Sequence, residues 1–222
     1  MTDRRYGQYC GLAYALDLVG ERWALLIVRD LLIAPRRFTE LHRGLPGIPS
    51  NVLAARLKEL EQNGVVARSV TPRPGTGVVY ELTDYGRELE EIVLRLGLWG
   101  ARSLGEPKGG DVVTPAALVI ALRAGFRPAA ARGLHATYEL RVGDVVVHAR
   151  VAGGRLDAGE GPAEAPDVVL DGDATLKRVM AGELTIDEAV SGGRLRADGD
   201  RPLLDRFAEV FVLPPPAARP AA

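Results

Sequence analysis

The stretch Phe38-Thr39-Glu40-Leu41-His42-Arg43-Gly44-Leu45-Pro46-Gly47-Ile48-Pro49-Ser50-Asn51-Val52-Leu53-Ala54-Ala55-Arg56-Leu57-Lys58-Glu59-Leu60-Glu61-Gln62-Asn63-Gly64, continued to Leu82, decides the fold. Thr39 to Arg43 reads as a short helix, closed by the breaker-rich turn Gly44-Leu45-Pro46-Gly47. Ser50 to Gly64 reads as a second helix, because Leu53, Leu57 and Leu60 recur at the spacing of one helical face. Two strands come next, Val65 to Thr71 and Val78 to Leu82, around the tip Pro72-Arg73-Pro74-Gly75-Thr76-Gly77.

Helix, turn, helix, strand, tip and strand, in that order, predict a winged helix-turn-helix that reads duplex DNA. With the three leucines turned inward, Asn51, Ala55, Lys58 and Gln62 fall on the far face at about 100° per residue. That face suits base reading: Asn51 matches adenine, Ser50 and Lys58 suit phosphate or mixed contacts, and Ala55 lets the backbone sink toward the groove. Arg22, Arg36, Arg37 and Thr39 stand at predicted helix starts, where side chains and N–H groups meet phosphates. Arg68, Arg73 and Thr76 would carry the wing toward the minor groove. A single amphipathic helix with a polar face is more often plain surface. Order and spacing together reverse that preference.

Composition sets bounds. The chain has 222 residues, of which 47% are hydrophobic and 26% charged, as in soluble globular proteins. No apolar run is long enough for a membrane span, and no apolar segment follows the basic N-terminus, so a cytoplasmic address without membrane partners is expected. Net charge is −1, yet residues 1–80 carry 11 Arg and Lys against 7 Asp and Glu, whereas 106–222 carry 14 against 17. The basic excess thus coincides with the predicted DNA-reading segment. Cys10 is the single cysteine, so no internal disulfide forms, and no Cys/His cluster has zinc spacing. His42, His135 and His148 are scattered, and Asp171, Asp173, Glu183, Asp187 and Glu188 lack the spacing of a metal loop. No metal, no cofactor and no enzymatic activity are expected.

Breakers cluster at Leu104-Gly105-Glu106-Pro107-Lys108-Gly109-Gly110, which divides the chain into 1–108 and 109–213, with 214–222 as a proline-rich disordered tail. In the first domain Leu12 to Val19 and Glu21 to Ile33 read as helices, the latter with Trp23, Leu26, Ile27 and Leu31 on one stripe. Thr83 suits the N-cap of a helix running to about Ser103. Its stripe of Leu89, Ile92, Val93, Leu96 and Trp99 is wide for an exposed helix and predicts contact with a second copy of the chain. The second domain reads as α+β. Pro115 to Phe126 is an apolar helix; Leu134 to Val142 and Val145 to Val151 form a hairpin at Gly143-Asp144. Strands at Arg155 to Asp157, Val168 to Leu170 and near Leu195 alternate with helices Thr175 to Met180, Ile186 to Val190 and Leu203 to Val212.

Four segments carry a family resemblance: Ala15 to Trp23, Arg37 to Leu41, Leu53 to Leu60 and Tyr80 to Gly86. On them, Cys10 to Ala101 resembles the HxlR family of winged-helix transcriptional regulators, relatives of the MarR group. The resemblance implies a homodimer on an operator, its two reading helices entering successive major grooves roughly 10 base pairs apart. Pro49 stands where the family more often has a capping serine or threonine. Asp167 to Asp173 and Met180 to Leu195 resemble the sterol-carrier-like SCP-2 fold, which implies an apolar ligand between sheet and helices. Leu118, Leu122, Phe126, Tyr138, Met180, Phe207 and Phe211 are the candidate lining, although each taken alone is more often plain core. Some relatives sense oxidants or electrophiles through a cysteine near position 10, with Arg4, Arg5 and Arg22 available to lower the thiol. Burial of Cys10 as a small apolar residue is the favoured reading and the sensor its rival. The whole therefore reads as a ligand-responsive regulator, with repression as the expected sense. Two rivals remain: a lipid or metabolite carrier that uses the winged helix only to dimerise, and a Cys10-based redox regulator.

Overall fold

The computed structural model describes residues 5–71 and 77–217. The chain divides into two compact units, Met1–Val93 and Leu94–Ala222.

In the first unit, α1 (Gly11–Val19) and α2 (Ala24–Leu31) precede a two-residue strand β1 (Arg36–Arg37) and helix α3 (Phe38–Gly44). Helix α4 (Ser50–Gln62) leads into β2 (Val66–Thr71) and β3 (Gly77–Leu82), then α5 (Asp84–Arg87) and α6 (Leu89–Ala101). Both strands of the wing hairpin pair antiparallel, Val66 opposite Leu82, and β1 adds to the free edge of β3, Arg37 opposite Val79. Helix, turn, helix and wing thus come in the order read from the sequence.

Buried apolar side chains explain the packing. Ile27 and Val28 of α2, Leu41 of α3, Leu45 and Ile48 of the turn, and Leu53, Leu57 and Leu60 of α4 are all nearly inaccessible. Each such side chain contributes about 1.5–3 kcal/mol when removed from water. Behind α4 the chain must turn sharply into the wing. The Thr83 hydroxyl donates to the Gly64 carbonyl at 2.6 Å and accepts from the Gly86 N–H at 3.0 Å, capping α5 while closing the hairpin. Gly86 is required there, since a Cβ would lie 2.1 Å from the Val65 carbonyl oxygen.

Three local expectations change. Trp23 does not open α2 as a helical residue; it is the N-cap, at φ +79° in the left-handed region, and the helix begins at Ala24. The buried stripe is accordingly Ile27, Val28 and Leu31, while Leu26 stays 41% exposed. The helix expected from Thr83 to Ser103 is two segments that part at Glu88. Strand β1 went unseen because two arginines carry no alternation to read.

After the C-terminal part of α6, the second unit continues with α7 (Pro115–Gly125), N-capped by Thr114, whose hydroxyl accepts from the Ala117 N–H at 3.2 Å. Then come β4 (His135–Val142), β5 (Val145–Ala152), β6 (Arg155–Glu160), β7 (Val168–Gly172), α8 (Thr175–Met180), α9 (Ile186–Ser191), β8 (Leu195–Gly199) and α10 (Arg201–Val210). The sheet order is β6-β5-β4-β7-β8, with β4 and β7 parallel and the other pairs antiparallel. The hairpin turns at Gly143, φ +58°, as its Gly-Asp pair implied. One sheet face buries Ala136, Tyr138, Leu140, Val147, Ala149, Val168 and Leu170. Glu139, on the other face, is nevertheless only 2% exposed. Its carboxylate accepts from Arg141 Nε at 2.7 Å and from the Ala163 N–H at 2.9 Å, so the loop after β6 closes over it.

The units part inside α6, ahead of the Leu104–Gly110 breaker run where the sequence places the boundary. Within the second unit, the Ala217 N–H donates to the Arg102 carbonyl at 2.9 Å and Lys177 Nζ donates to the Leu104 carbonyl, which ties these residues to the C-terminal fold.

Tyr138, Phe207 and Phe211 fill the space between β4 and α10, with centroids 5.0–5.8 Å apart, and Phe126 joins Phe211 at 5.9 Å. Phe207→Ala is expected to destabilise the second unit by about 3–5 kcal/mol in urea denaturation, the usual cost of truncating a closely packed core aromatic. A loss near zero would show that the cluster is loosely packed.

Candidate nucleic-acid interface

Helix α4 has two unlike sides. Leu53, Leu57 and Leu60 are 0–1% exposed, packed toward α2 and β2. Ser50, Asn51, Ala54, Ala55, Lys58 and Gln62 are exposed on the other side. Pro49 occupies the N-cap and makes no side-chain bond, so the first N–H groups of α4 have no side-chain cap. Ser50, Asn51, Ala55 and Lys58 therefore share one outward surface of a helix fixed from behind, the geometry by which a helix enters a major groove.

Around it the arginines behave differently from one another. Arg22 is exposed, its guanidinium over the Trp23 ring at 5.2 Å. Arg36 is half-buried and its Nε donates to the Asp30 carbonyl at 3.4 Å, so it belongs to β1 and the core edge rather than to a helix start. The Arg37 N–H donates to Glu40 Oε2 at 2.6 Å, and its guanidinium lies against Gly77 at the start of β3. A Cβ on Gly77 would come within 3.1 Å of Arg37 Cζ. Thr39 is exposed in the first turn of α3. Arg68 is exposed on β2, directly across from Tyr80 and 5.8 Å over its ring. Arg73 and Thr76 lie outside the described residues. Arg56 of α4 pairs with both Glu21 and Glu59.

The stripe expected on α6 divides. Ile92, Leu96 and Trp99 are 57%, 46% and 71% exposed and lie along one line of the helix, whereas Val93 turns inward and Leu89 is half-buried. Large apolar side chains left in water on one face are the usual mark of an interface.

Cys10 overturns the expectation of burial. It is the exposed N-cap of α1, and its thiol is held below the ordinary range by the backbone N–H groups of Ala13 and then Leu12. The helix start supplies that effect, and among the described residues neither Arg5 nor Arg22 contributes to it; Arg4 lies outside the described residues.

In the second unit, Leu122, Tyr138, Met180, Phe207 and Phe211 are buried, with Leu118 and Phe126 at intermediate exposure. The Tyr138 hydroxyl donates to the Leu203 carbonyl at 3.0 Å, and burial pushes its phenol up to about 12. A groove of about 610 Å³ lies elsewhere in this unit, lined by Arg102, Leu104, Pro107, Lys177, Arg178 and Glu183 among others. It is more polar than the interior the sequence singled out. Among the described residues no group of three or more His, Cys, Asp or Glu is placed to hold a metal, and no helix is long and apolar enough to cross a membrane.

These features define a winged helix-turn-helix joined to an α+β domain. Residues 18–108 match the family described as HxlR-like helix-turn-helix, and residues 121–212 match the SCP-2 sterol transfer family. The HTH-type transcriptional regulator YodB of Bacillus subtilis is 41% identical over 99 residues, covering 45% of this chain and 86% of YodB. The uncharacterized HTH-type transcriptional regulator YvaP of the same organism is 42% identical over 85 residues, covering 38% of this chain and 79% of YvaP. This chain belongs to the HxlR-like helix-turn-helix family, with an SCP-2-like domain following the winged helix. Among solved structures, the redox regulator HypR in its oxidized form shares 34% identity over 43% of this chain and 99% of that one, with a TM-score of 0.41. The reduced form of YodB from B. subtilis shares 35% over 46% and 100%, with a TM-score of 0.39.

The rate at which Cys10 is alkylated by iodoacetamide should reach half its maximum at a lower pH than for an unstructured cysteine peptide. Coincident pH profiles would remove the helix-start effect.

Proposed function

We propose that this protein is a homodimeric transcriptional regulator, acting as a repressor, that reads its operator through the exposed face of α4. The observation that carries this reading is the two-sidedness of α4, a leucine stripe closed inside and Asn51, Ala55 and Lys58 presented outside. Asn51 is assigned to a base edge, and Lys58, Ser50, Thr39, Arg22 and Arg37 to phosphates or mixed contacts. Arg68, held beside Tyr80, directs the wing, and Arg73 and Thr76 are proposed to complete it. Arg36 is proposed as a phosphate or mixed contact from β1, beside α3. Dimerisation is assigned to Ile92, Leu96 and Trp99, with Leu89 and Val93 supporting the helix from behind.

The SCP-2-like domain is proposed as the effector module, with an apolar ligand among Leu118, Leu122, Phe126, Tyr138, Met180, Phe207 and Phe211. Aromatic members of this set pack on one another, so the ligand must favour an arrangement in which the cluster parts; only such differential affinity shifts the equilibrium. A second reading is favoured by the exposed, acid-shifted thiol of Cys10 at the start of α1, which makes that residue the switch.

Asn51→Ala with Lys58→Ala should lower affinity for the selected operator by about 10–100-fold and leave thermal stability unchanged, as expected when one base contact and one cation are lost. Unchanged operator affinity, measured by gel shift with competitor DNA, would refute α4 as the reading element. Separately, Leu96→Glu with Trp99→Glu should yield monomers in sedimentation velocity at micromolar concentration; a persisting dimer would place the interface elsewhere.

A further inference from the structure

Apolar burial is non-directional. The leucine stripe decides which side of α4 faces in, but by itself leaves the helix room to roll or slide. Base reading tolerates little of either, since hydrogen bonds to base edges require good distance and angle.

A hydrogen bond and an ion pair between fixed points limit that freedom, and both lead to α1 and the turn after it. Asn63 ends α4, and its Nδ2 donates to the Leu18 carbonyl at 3.2 Å. Leu18 lies in the last turn of α1, where carbonyls lack partners within their own helix, so this bond satisfies the end of α1 while tying the end of α4 to it. Two turns earlier along α4, the Arg56 guanidinium stands 3.5 Å from the Glu21 carboxylate, in the turn after α1. Arg56 is also braced by Glu59 one turn along its own helix, and its side chain is only 15% exposed. A bond at the end of the helix and an ion pair near its middle fix both roll and position. Neither residue lies among Asn51, Ala55 and Lys58 on the outward face, so neither is needed to touch DNA.

We infer that Asn63, Arg56 and Glu21 are positioning residues for sequence reading, which make the placement of α1 set the pitch of α4. This inference rests on the proposed role as a regulator. A displacement of α1 is then carried to the reading helix through two fixed points rather than absorbed in the leucine layer. The contacts hold the helix in the one orientation that matches base edges, whereas phosphate contacts, being tolerant of small rolls, survive without them.

The test uses the full chain, a duplex recovered by the wild type from a random-sequence pool, and a scrambled duplex of equal length and composition. Asn63→Ala and Glu21→Ala should each lower the preference for the recovered duplex by about threefold, and together by about tenfold. Affinity for the scrambled duplex and the slope of log affinity against log salt should stay at wild-type values, because no phosphate contact is removed. Glu21 is substantially exposed, so its variant keeps the question open to test if Asn63→Ala fails to fold. An unchanged preference in Glu21→Ala and in the double variant overturns the inference. So does a proportional loss of recovered and scrambled binding, which would mark a purely structural role. A wild type with no preference for any duplex defeats the regulator reading itself, a result distinct from either.

Discussion

Burial of Leu53, Leu57 and Leu60 is the constraint on which the first unit depends. Three leucines on one side of a thirteen-residue helix stay out of water only if that side lies on α2 and β2. Once it does, the opposite side has nowhere to go but outward. The exposure of Asn51, Ala55 and Lys58 is therefore a consequence of core packing, with no separate force needed to present them. The tight exit after Gly64, the Thr83 bridge and the close approach of Gly86 to Val65 bring the hairpin back beside the same helix.

The second unit solves a different problem. Its sheet must cover an apolar face, and Tyr138 supplies the central piece, with its ring against Phe207 and Phe211 and its hydroxyl satisfied by the Leu203 carbonyl. A buried phenol without that acceptor would lose about 1–3 kcal/mol of what its ring contributes. The interior that SCP-2-like architecture suggests as a ligand space is thus occupied by the protein's own aromatics. Any molecule taking their place must offset many close contacts, which makes ligand entry and rearrangement of the cluster one event.

Much of this was legible in the residues. The α4 stripe, the Gly143-Asp144 hairpin, the Thr83 cap and the helix at Pro115 all rest on local rules: periodicity, turn chemistry and capping. Other features were not. Strand β1 consists of two arginines and exists only because β3 offers an open edge. Trp23 carries no local signal for a left-handed backbone. Cys10 looked like a small core residue by type, but its position at the start of α1 leaves it in water. Arg36 and Arg37 read alike, yet one faces the Asp30 carbonyl and the other Gly77 at the start of β3.

By itself the sequence determined the helix-turn-helix and hairpin order and which side of α4 is apolar, because both depend on neighbours within a few residues along the chain. It also determined the family, through segments spread across the first unit. Tertiary structure alone decided which cations remain available to DNA and that Glu139 is buried beneath a loop. It decided too that Asn63 and Arg56 reach back across 45 and 35 residues to Leu18 and Glu21. Contacts between residues so far apart depend on how whole elements dock, and no local periodicity encodes that.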